Sequence, residues 1–146
     1  MICYFDTSAF VPILIAEASS SACAELWNMA DAVTTTRLLY VETSAALARA
    51  HRSGRVSPSK LTAAQTSLDE LWPEFDVIEL GAELTHRAAQ LAMKCSLRGY
   101  DAVHCAAAEQ LAVDGDLVAA TGDKALLTAC HDLGISTADI NHPDYL

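Results

Sequence analysis

Four acidic residues interrupt or directly follow apolar segments, in places where charge does not serve solubility: Asp6, Glu42, Asp101 and Asp123. Carboxylates gathered in one place repel one another unless a cation joins them, and their hard oxygen atoms suit Mg²⁺ or Mn²⁺ rather than zinc. Mg²⁺ usually binds one or two carboxylates, keeps several waters and also binds substrate phosphate. If the fold gathers these residues, they predict a divalent-cation site for phosphodiester hydrolysis.

Each acid alone also has an ordinary structural explanation. Asp6 follows a predicted strand and is a good N-cap, while Asp101 and Asp123 stand at helix starts, where the macrodipole favours negative charge. Glu42 shares its helix face with apolar residues, so it needs a compensating cation, either a basic side chain such as Arg49 or a metal. The combination of the four, rather than any one of them, indicates a site.

The elements that must position these acids are strands interleaved with helices. Near-continuous apolar strands at 2–5 and 117–121 are typical of a parallel sheet covered on both faces, which predicts an α/β fold. Ligands of such sheets bind beyond the carboxyl ends of the strands, where Asp6 and Asp123 fall. The other predicted strands are 32–35, 75–80 and 135–140; the predicted helices are a turn from Thr7 or Ser8, then 19–29, 37–52, 58–72, 82–97 closed by Gly99, 101–113 and 124–133.

The length and composition favour one domain over residues 1–146, because 146 residues with 52% hydrophobic content can bury a real core. No run of about 18 apolar residues is present that could span a bilayer. The first residues also lack the basic flank and cleavage site of a signal peptide. We therefore expect a cytoplasmic protein that does not associate with a membrane.

Apolar and sulfur-containing residues predict core rather than chemistry. The five cysteines are odd in number and scattered without a Cys-x-x-Cys pair, which argues against disulfides or structural zinc. We expect them to be buried as small apolar side chains. A second group either covers a groove for a partner helix or, as is usual for helical spacing, belongs to the core: Trp27, Trp72, Leu68 and Leu71.

The segments around the four acids resemble the motifs of PIN domains, and most closely those of the VapC-type ribonuclease toxins. The similarity extends over almost the whole chain, with four motifs in the order and at the spacing of that family. It implies a three-layer α/β/α sandwich with a mainly parallel central sheet. The segments are Phe5-Asp6-Thr7-Ser8-Ala9, Val41-Glu42-Thr43-Ser44-Ala45, Tyr100-Asp101-Ala102-Val103-His104 and Thr121-Gly122-Asp123-Lys124-Ala125-Leu126.

This resemblance implies a Mg²⁺- or Mn²⁺-dependent endoribonuclease that hydrolyses RNA with metal-activated water, as the toxin of a VapBC-type toxin–antitoxin pair. It also implies a homodimer and a small antitoxin encoded beside the toxin. The four acids would be the catalytic and metal-binding residues, supported by the hydroxyl groups of Thr7 and Thr121. The fourth acid varies in the family, so Asp116 and Asp139 are candidate additions or substitutes, although Asp116 reads better as part of a turn.

The formal net charge of −10 stands against a nucleic-acid ligand, since phosphate binding needs a basic footprint. Arg37, Arg98 and Lys124 flank the acids and are either RNA phosphate contacts or ordinary surface charges. Bound cations would also reverse the local sign of the charge. His104, three residues after Asp101 on a predicted helix, is either a metal ligand or a structural residue.

Three other functions use the same features. A structure-specific DNA nuclease would use the same carboxylates. A non-catalytic PIN-like interaction module would use them only as caps and in salt bridges. A response-regulator-like phosphoacceptor is disfavoured, because that design has paired acids after the first strand and Asp6 stands alone.

Overall fold

The computed structural model describes residues 1–143 and is built around a parallel five-stranded sheet. Its strands are β1 (Ile2–Phe5), β2 (Ala32–Thr36), β3 (Phe75–Ile78), β4 (Leu117–Thr121) and β5 (Ser136–Asp139). They lie in the order β3-β2-β1-β4-β5, so β1 is central and pairs in parallel with both β2 and β4. The predicted parallel sheet is confirmed. The ends of β1 and β4, which precede Asp6 and Gly122, are therefore neighbours.

Helices cover both faces of the sheet, which confirms the predicted three-layer α/β/α arrangement. Side chains alternate along β1, so that Cys3 and Phe5 pack toward α1–α4 and Tyr4 packs toward α5–α7. Within residues 1–143, no helix is long and apolar enough to cross a membrane. The helices are α1 (Thr7–Leu14), α2 (Ser20–Met29), α3 (Leu38–Arg52), α4 (Pro58–Leu71), α5 (Ala82–Cys95), α6 (Gly99–Leu111) and α7 (Lys124–Asp132), with short 3₁₀ turns at Trp72–Glu74 and Ala112–Asp114.

The tryptophans belong to the core of the α1–α4 face. The Trp27 ring centroid lies 5.5 Å from that of Phe5, 5.9 Å from that of Phe10 and 5.1 Å from that of Phe75. Trp72 packs against Phe75 at 5.8 Å. Leu68 is buried in the same cluster and Leu71 is partly buried against it, so the core interpretation of these residues is confirmed. The five cysteines are free thiols, and all except the half-buried Cys95 are buried, as expected.

Two predicted boundaries were wrong. Gly99 does not close α5 but is the first residue of α6, and α5 ends instead at Ser96, which adopts the left-handed conformation with φ of 54°. Asp101 consequently lies within the first turn of α6. The third strand ends at Ile78 rather than at residue 80, because β2 is its single partner and Thr36, which aligns with Ile78, is the last residue of β2.

Candidate active site

The four acids, which we refer to as the acid quartet (Asp6, Glu42, Asp101 and Asp123), line one open cleft of about 410 Å³ at the carboxyl edge of the sheet. Two of them follow the neighbouring strands β1 and β4, one lies on α3 and one lies on α6. Residues far apart in the chain therefore meet because parallel strands end at the same edge.

Asp6 is the most deeply buried acid of the quartet, with 4% of its surface exposed. As the N-cap of α1, its Oδ1 accepts hydrogen bonds from the Ala9 N–H at 3.1 Å and the Ser8 hydroxyl at 2.7 Å. Its Oδ2 accepts a hydrogen bond from the Thr121 hydroxyl at 2.8 Å. Burial raises the pKa of Asp6 above its ordinary value, and these hydrogen bonds act in the opposite direction. Asp6 is thus both a helix cap and a cleft residue.

Two hydroxyl groups join the Asp6 carboxylate to the backbone after β4. The Ser8 Oγ accepts the Gly122 N–H at 2.8 Å, and the Thr121 Oγ1 accepts the Asp123 N–H at 3.0 Å. These bridges fix the end of β1 against the end of β4. The hydroxyl of Thr121 thus contacts the Asp6 carboxylate, and a second contact comes from the hydroxyl of Ser8.

Asp123 and Thr7 complete this wall of the cleft. The Asp123 Oδ1 caps α7 by accepting the Leu126 N–H at 2.9 Å, so Asp123, like Asp6, has both a capping and a cleft position. The Thr7 Oγ1 is buried and has no hydrogen-bond partner within residues 1–143. A buried hydroxyl without a partner, in the lining of the same cleft as the acids, can bind a further ligand.

A close backbone approach places Asn141 beside the acids. A Cβ at Gly122 would lie 2.8 Å from the Asn141 Nδ2 and 3.0 Å from the Ile140 Cγ1, so a larger residue there would displace this segment. The Asn141 Nδ2 donates to the Gly122 carbonyl at 3.2 Å. Asn141 lines the cleft but was not a candidate from the sequence, because it follows β5 without a distinctive motif.

Glu42 is paired with a histidine from another helix. Its Oε1 lies 2.6 Å from the Nε2 of His104, and the Nδ1 of His104 lies 2.7 Å from the hydroxyl of Tyr4. Arg49, the basic partner considered from the sequence, lines the same cleft but forms no salt bridge with Glu42 in the part of the chain described. Both ring nitrogens of His104 are engaged, so the structure favours the structural alternative for His104 over a metal ligand.

Arg98 joins the remaining two acids. Its Nε lies 3.0 Å from the Asp101 Oδ2, and its Nη2 lies 3.6 Å from the Asp123 Oδ2. The Arg98 side chain is 82% exposed, so this guanidinium lies over the acids at the mouth of the cleft. Of the three cations suggested by the sequence, Arg98 is the one that contacts the acid quartet.

The other two suggested cations lie outside the cleft lining. Arg37 is paired with Glu79 beyond β3, and its guanidinium carbon lies 5.9 Å from the ring centroid of Trp72. The expectation that Arg37 flanks the site was therefore wrong, because Arg37 directly follows β2 as the N-cap of α3, where its N–H donates to the Ile78 carbonyl of the edge strand β3. Lys124 is exposed at the start of α7, next to Asp123 in sequence.

Neither of the two candidate additional acids joins the quartet. Asp116 precedes β4 at the amino edge of the sheet, where its carboxylate lies 3.3 Å from the Met1 amine, so it cannot replace a residue at the carboxyl edge. Asp139 ends β5 and accepts hydrogen bonds from the His142 Nδ1 at 2.9 Å and the Asn141 N–H at 3.0 Å. Burial raises the pKa of Asp139, but these hydrogen bonds outweigh it and leave the pKa below its ordinary value.

The donor chemistry of the cleft fits a hard divalent cation. Four carboxylates and the unpartnered Thr7 hydroxyl all present oxygen atoms, the ligands that Mg²⁺ and Mn²⁺ prefer. In their present orientations, no three acidic, histidine or cysteine side chains among residues 1–143 are grouped closely enough to hold a metal ion. Asp101 and Asp123 are paired with Arg98 across the mouth of the cleft, and the Oε1 of Glu42 is paired with His104.

Comparison with known proteins gives the same family as the four sequence motifs. Residues 3–131 match the PIN domain family. Two Mycobacterium tuberculosis proteins are each 42% identical to this chain over 136 residues, which cover 92% of this chain and 93% of theirs. They are ribonuclease VapC45 of strain CDC 1551 / Oshkosh and ribonuclease VapC49 of strain H37Rv.

The fold is also that of a solved relative. The crystal structure of Mycobacterium tuberculosis VapC20, a toxin that cleaves the sarcin–ricin loop, matches with a TM-score of 0.67. The match covers 87% of this chain and 94% of that one, at 20% sequence identity. At this identity the match speaks for the fold alone. From the family match and the mycobacterial relatives together, this chain belongs to the PIN-domain family and is similar to its VapC ribonucleases.

Proposed function

We propose that this protein is a metal-dependent endoribonuclease and the toxin of a VapBC-type toxin–antitoxin pair. The observation that carries the proposal is the convergence of the acid quartet on one open cleft, in a chain 42% identical to two VapC ribonucleases. The proposal includes a single domain over residues 1–146, a homodimer, a small antitoxin partner and a cytoplasmic location.

The acid quartet would hold Mg²⁺ or Mn²⁺. When bound, such a cation supplies positive charge and Lewis acidity for water activation and phosphodiester cleavage. The residues of the chain hold the quartet in place: Ser8 and Thr121 fix the buried Asp6 carboxylate, and His104 binds Glu42. Their contribution is to hold the carboxylates in fixed positions through contacts within the chain itself.

Arg98 and Arg49 are the proposed contacts for RNA phosphates, since both line the cleft that the acids line. An exposed arginine that already lies over carboxylates can exchange them for a phosphate once a cation neutralises the acids. These two side chains provide a local basic footprint in a chain with a net charge of −10. We therefore expect RNA binding to be weak when the divalent cation is removed.

Incubating the purified protein with a total RNA pool, with Mg²⁺, Mn²⁺ or EDTA, tests the proposal. We expect discrete cleavage that needs the divalent cation and is lost in EDTA, and mapping the new ends would identify the target. Branched DNA assayed in parallel distinguishes a ribonuclease from a DNA nuclease. A protein that cleaves branched DNA but not RNA would contradict the proposal. A protein that gives no heat of Mn²⁺ binding and cleaves neither substrate would be an interaction module.

A further inference from the structure

A chain of polar side chains runs from the core to the cleft. The Tyr4 hydroxyl on β1 lies 2.7 Å from Nδ1 of His104 on α6, and Nε2 of His104 lies 2.6 Å from Oε1 of Glu42 on α3. Tyr4 and His104 are 1% and 2% exposed, whereas Glu42 lines the cleft. We refer to these three residues as the Tyr4–His104–Glu42 chain.

The partners fix the direction of the hydrogen bonds. A carboxylate that binds a cation is ionised and can only accept, so Nε2 of His104 donates to Glu42. In a neutral imidazole the other nitrogen, Nδ1, is then an acceptor, and it accepts the hydroxyl proton of Tyr4. This arrangement gives a partner to each polar side-chain atom of both buried residues, and it aims one N–H group at the Glu42 carboxylate.

Glu42, like Asp101, has one side-chain partner, but the partner of Glu42 is the buried His104, whereas that of Asp101 is the exposed Arg98. Asp6 accepts hydrogen bonds from three groups, and Asp123 accepts one from the backbone at the start of α7. For Glu42, His104 is the single hydrogen-bond donor within residues 1–143. A glutamate also has one more rotatable bond than an aspartate, so more side-chain freedom must be removed to fix its carboxylate.

The core around Tyr4 and His104 does not itself require polar groups. Tyr4 lies where the sheet packs on α5–α7, among side chains such as Leu91 and Ala106, and His104 is a buried residue of α6 beside it. Buried polar pairs are often replaced by apolar side chains of similar volume without loss of stability. The contact of His104 with Glu42 at the cleft, rather than packing in the core, explains why a polar pair lies here.

We propose that His104, itself held by Tyr4, is a positioning residue that orients the Glu42 carboxylate for binding of the divalent cation. The inference deepens the proposed function and rests on it. Hydrogen-bond partners of metal-ligating side chains typically change metal affinity or activity by about 10- to 100-fold when they are removed. We expect the loss to appear in Mn²⁺ affinity and in the kcat for RNA, with little change in KM.

The test titrates Mn²⁺ into the full chain by calorimetry and records thermal unfolding of each variant. His104→Leu removes the donor, and the double variant Tyr4→Phe/His104→Leu also removes the hydroxyl that His104→Leu would leave unpaired. His104→Gln keeps an N–H group near the position of Nε2. Leu91→Ala is the matched control, because Leu91 is fully buried in the same cluster as Tyr4 but does not line the cleft.

We expect the Mn²⁺ affinity of the double variant to fall about 10- to 100-fold. Its loss of thermal stability should be smaller than that of Leu91→Ala, because both members of the buried pair are replaced together. His104→Gln should restore most of the affinity, and Leu91→Ala should lose thermal stability without losing affinity. Wild-type affinity in the double variant would overturn the positioning role and leave the proposed function standing. A wild-type protein that binds no Mn²⁺ would overturn both.

Discussion

Acidic residues gather at both edges of the sheet, but they have different surroundings. At the amino edge, Asp31 and Asp116 both pair with the Met1 amine and their side chains are 83% and 72% exposed. At the carboxyl edge, Glu42, Asp101 and Asp123 have side chains that are only 18%, 15% and 27% exposed, and Asp6 is buried. Arg98 is the one arginine or lysine in salt-bridge contact with the quartet among residues 1–143.

The comparison shows that the two acidic clusters differ in burial rather than in acidity. The Met1 amine lowers the pKa of Asp31, which is the usual effect of a nearby cation. Burial raises the pKa of Asp6, because the charged form is poorly solvated in the cleft wall. The carboxyl edge therefore holds carboxylate charge that a further cation would stabilise, and the amino edge does not.

The largest expected effect is on RNA cleavage, which should depend on an acid of the carboxyl edge and not on one of the amino edge. Asp6→Asn should reduce Mn²⁺-dependent RNA cleavage by at least about a hundredfold while leaving the fold intact, because it removes a charged oxygen donor but keeps side-chain volume. Asp116→Asn at the amino edge is the control and should retain wild-type activity. Single-turnover cleavage of single-stranded RNA measures both, and equal activity of the two variants would remove the distinction between the edges.

A smaller effect tests the hydroxyl bridges of the carboxyl edge. Thr121→Val keeps the shape of the side chain but removes the donor to Asp6 and the acceptor of the Asp123 N–H. We expect an activity loss of about tenfold and a stability loss of about 1–3 kcal/mol, from the orphaned buried groups.

Thr34→Val on β2 is the matched control for Thr121→Val. Thr34 is buried too, and its Oγ1 donates to the Asp76 carbonyl on β3 at 2.8 Å, but it does not line the cleft. Activity and denaturant unfolding measure both variants, and Thr34→Val should lose about 1–3 kcal/mol of stability without losing activity. A similar loss of activity in the two variants would mean that the bridges of Thr121 have no particular role.

Removing Arg98, the arginine paired with the quartet, should raise the affinity of the carboxyl edge for Mn²⁺ rather than lower it. Arg98→Ala frees Asp101 and Asp123 from their guanidinium, so Mn²⁺ affinity should rise about two- to fivefold, within the range of an exposed ion pair. Lys124→Ala removes the same charge near Asp123 without breaking a described ion pair, and should have the smaller effect. Calorimetric titration compares them, and equal changes would mean that only the general field of the protein matters.

The smallest effect is a difference of sign in the pH dependence of stability, measured in EDTA. Asp6 has a raised folded-state pKa, so its contribution is present below about pH 4 and is lost as pH rises through that pKa. Asp31 has a lowered pKa, so its contribution is present above about pH 4 and is lost as pH falls through it.

The variants Asp6→Asn and Asp31→Asn separate these two contributions. The free energy of unfolding is measured by denaturant titration at pH 3 to 7. It should show that Asp6→Asn gains stability relative to wild type as pH rises. Asp31→Asn should lose stability relative to wild type over the same range. Differences of the same sign would contradict the opposite environments of the two edges.

Sequence patterns predicted what depends on local order along the chain. Asp6 and Asp123 were placed at strand ends because apolar strands precede them, and parallel strands bring such ends together. The partner of Glu42 was not predictable, because His104 is 62 residues away and their contact depends on how α3 and α6 pack. Arg37 was misplaced because it stands between β2 and α3, where the sequence does not show that its side chain pairs with Glu79 beside β3.

The most direct test of the central claim is calorimetric Mn²⁺ titration of two matched double variants. Asp6→Asn/Asp101→Asn and Asp31→Asn/Asp116→Asn each remove two carboxylate charges, from the carboxyl and the amino edge respectively. We predict wild-type Mn²⁺ affinity and Mn²⁺-dependent RNA cleavage for the amino-edge variant, and neither binding nor cleavage for the carboxyl-edge variant. Undiminished Mn²⁺ binding by the carboxyl-edge variant would contradict the assignment of the acid quartet as the cation site.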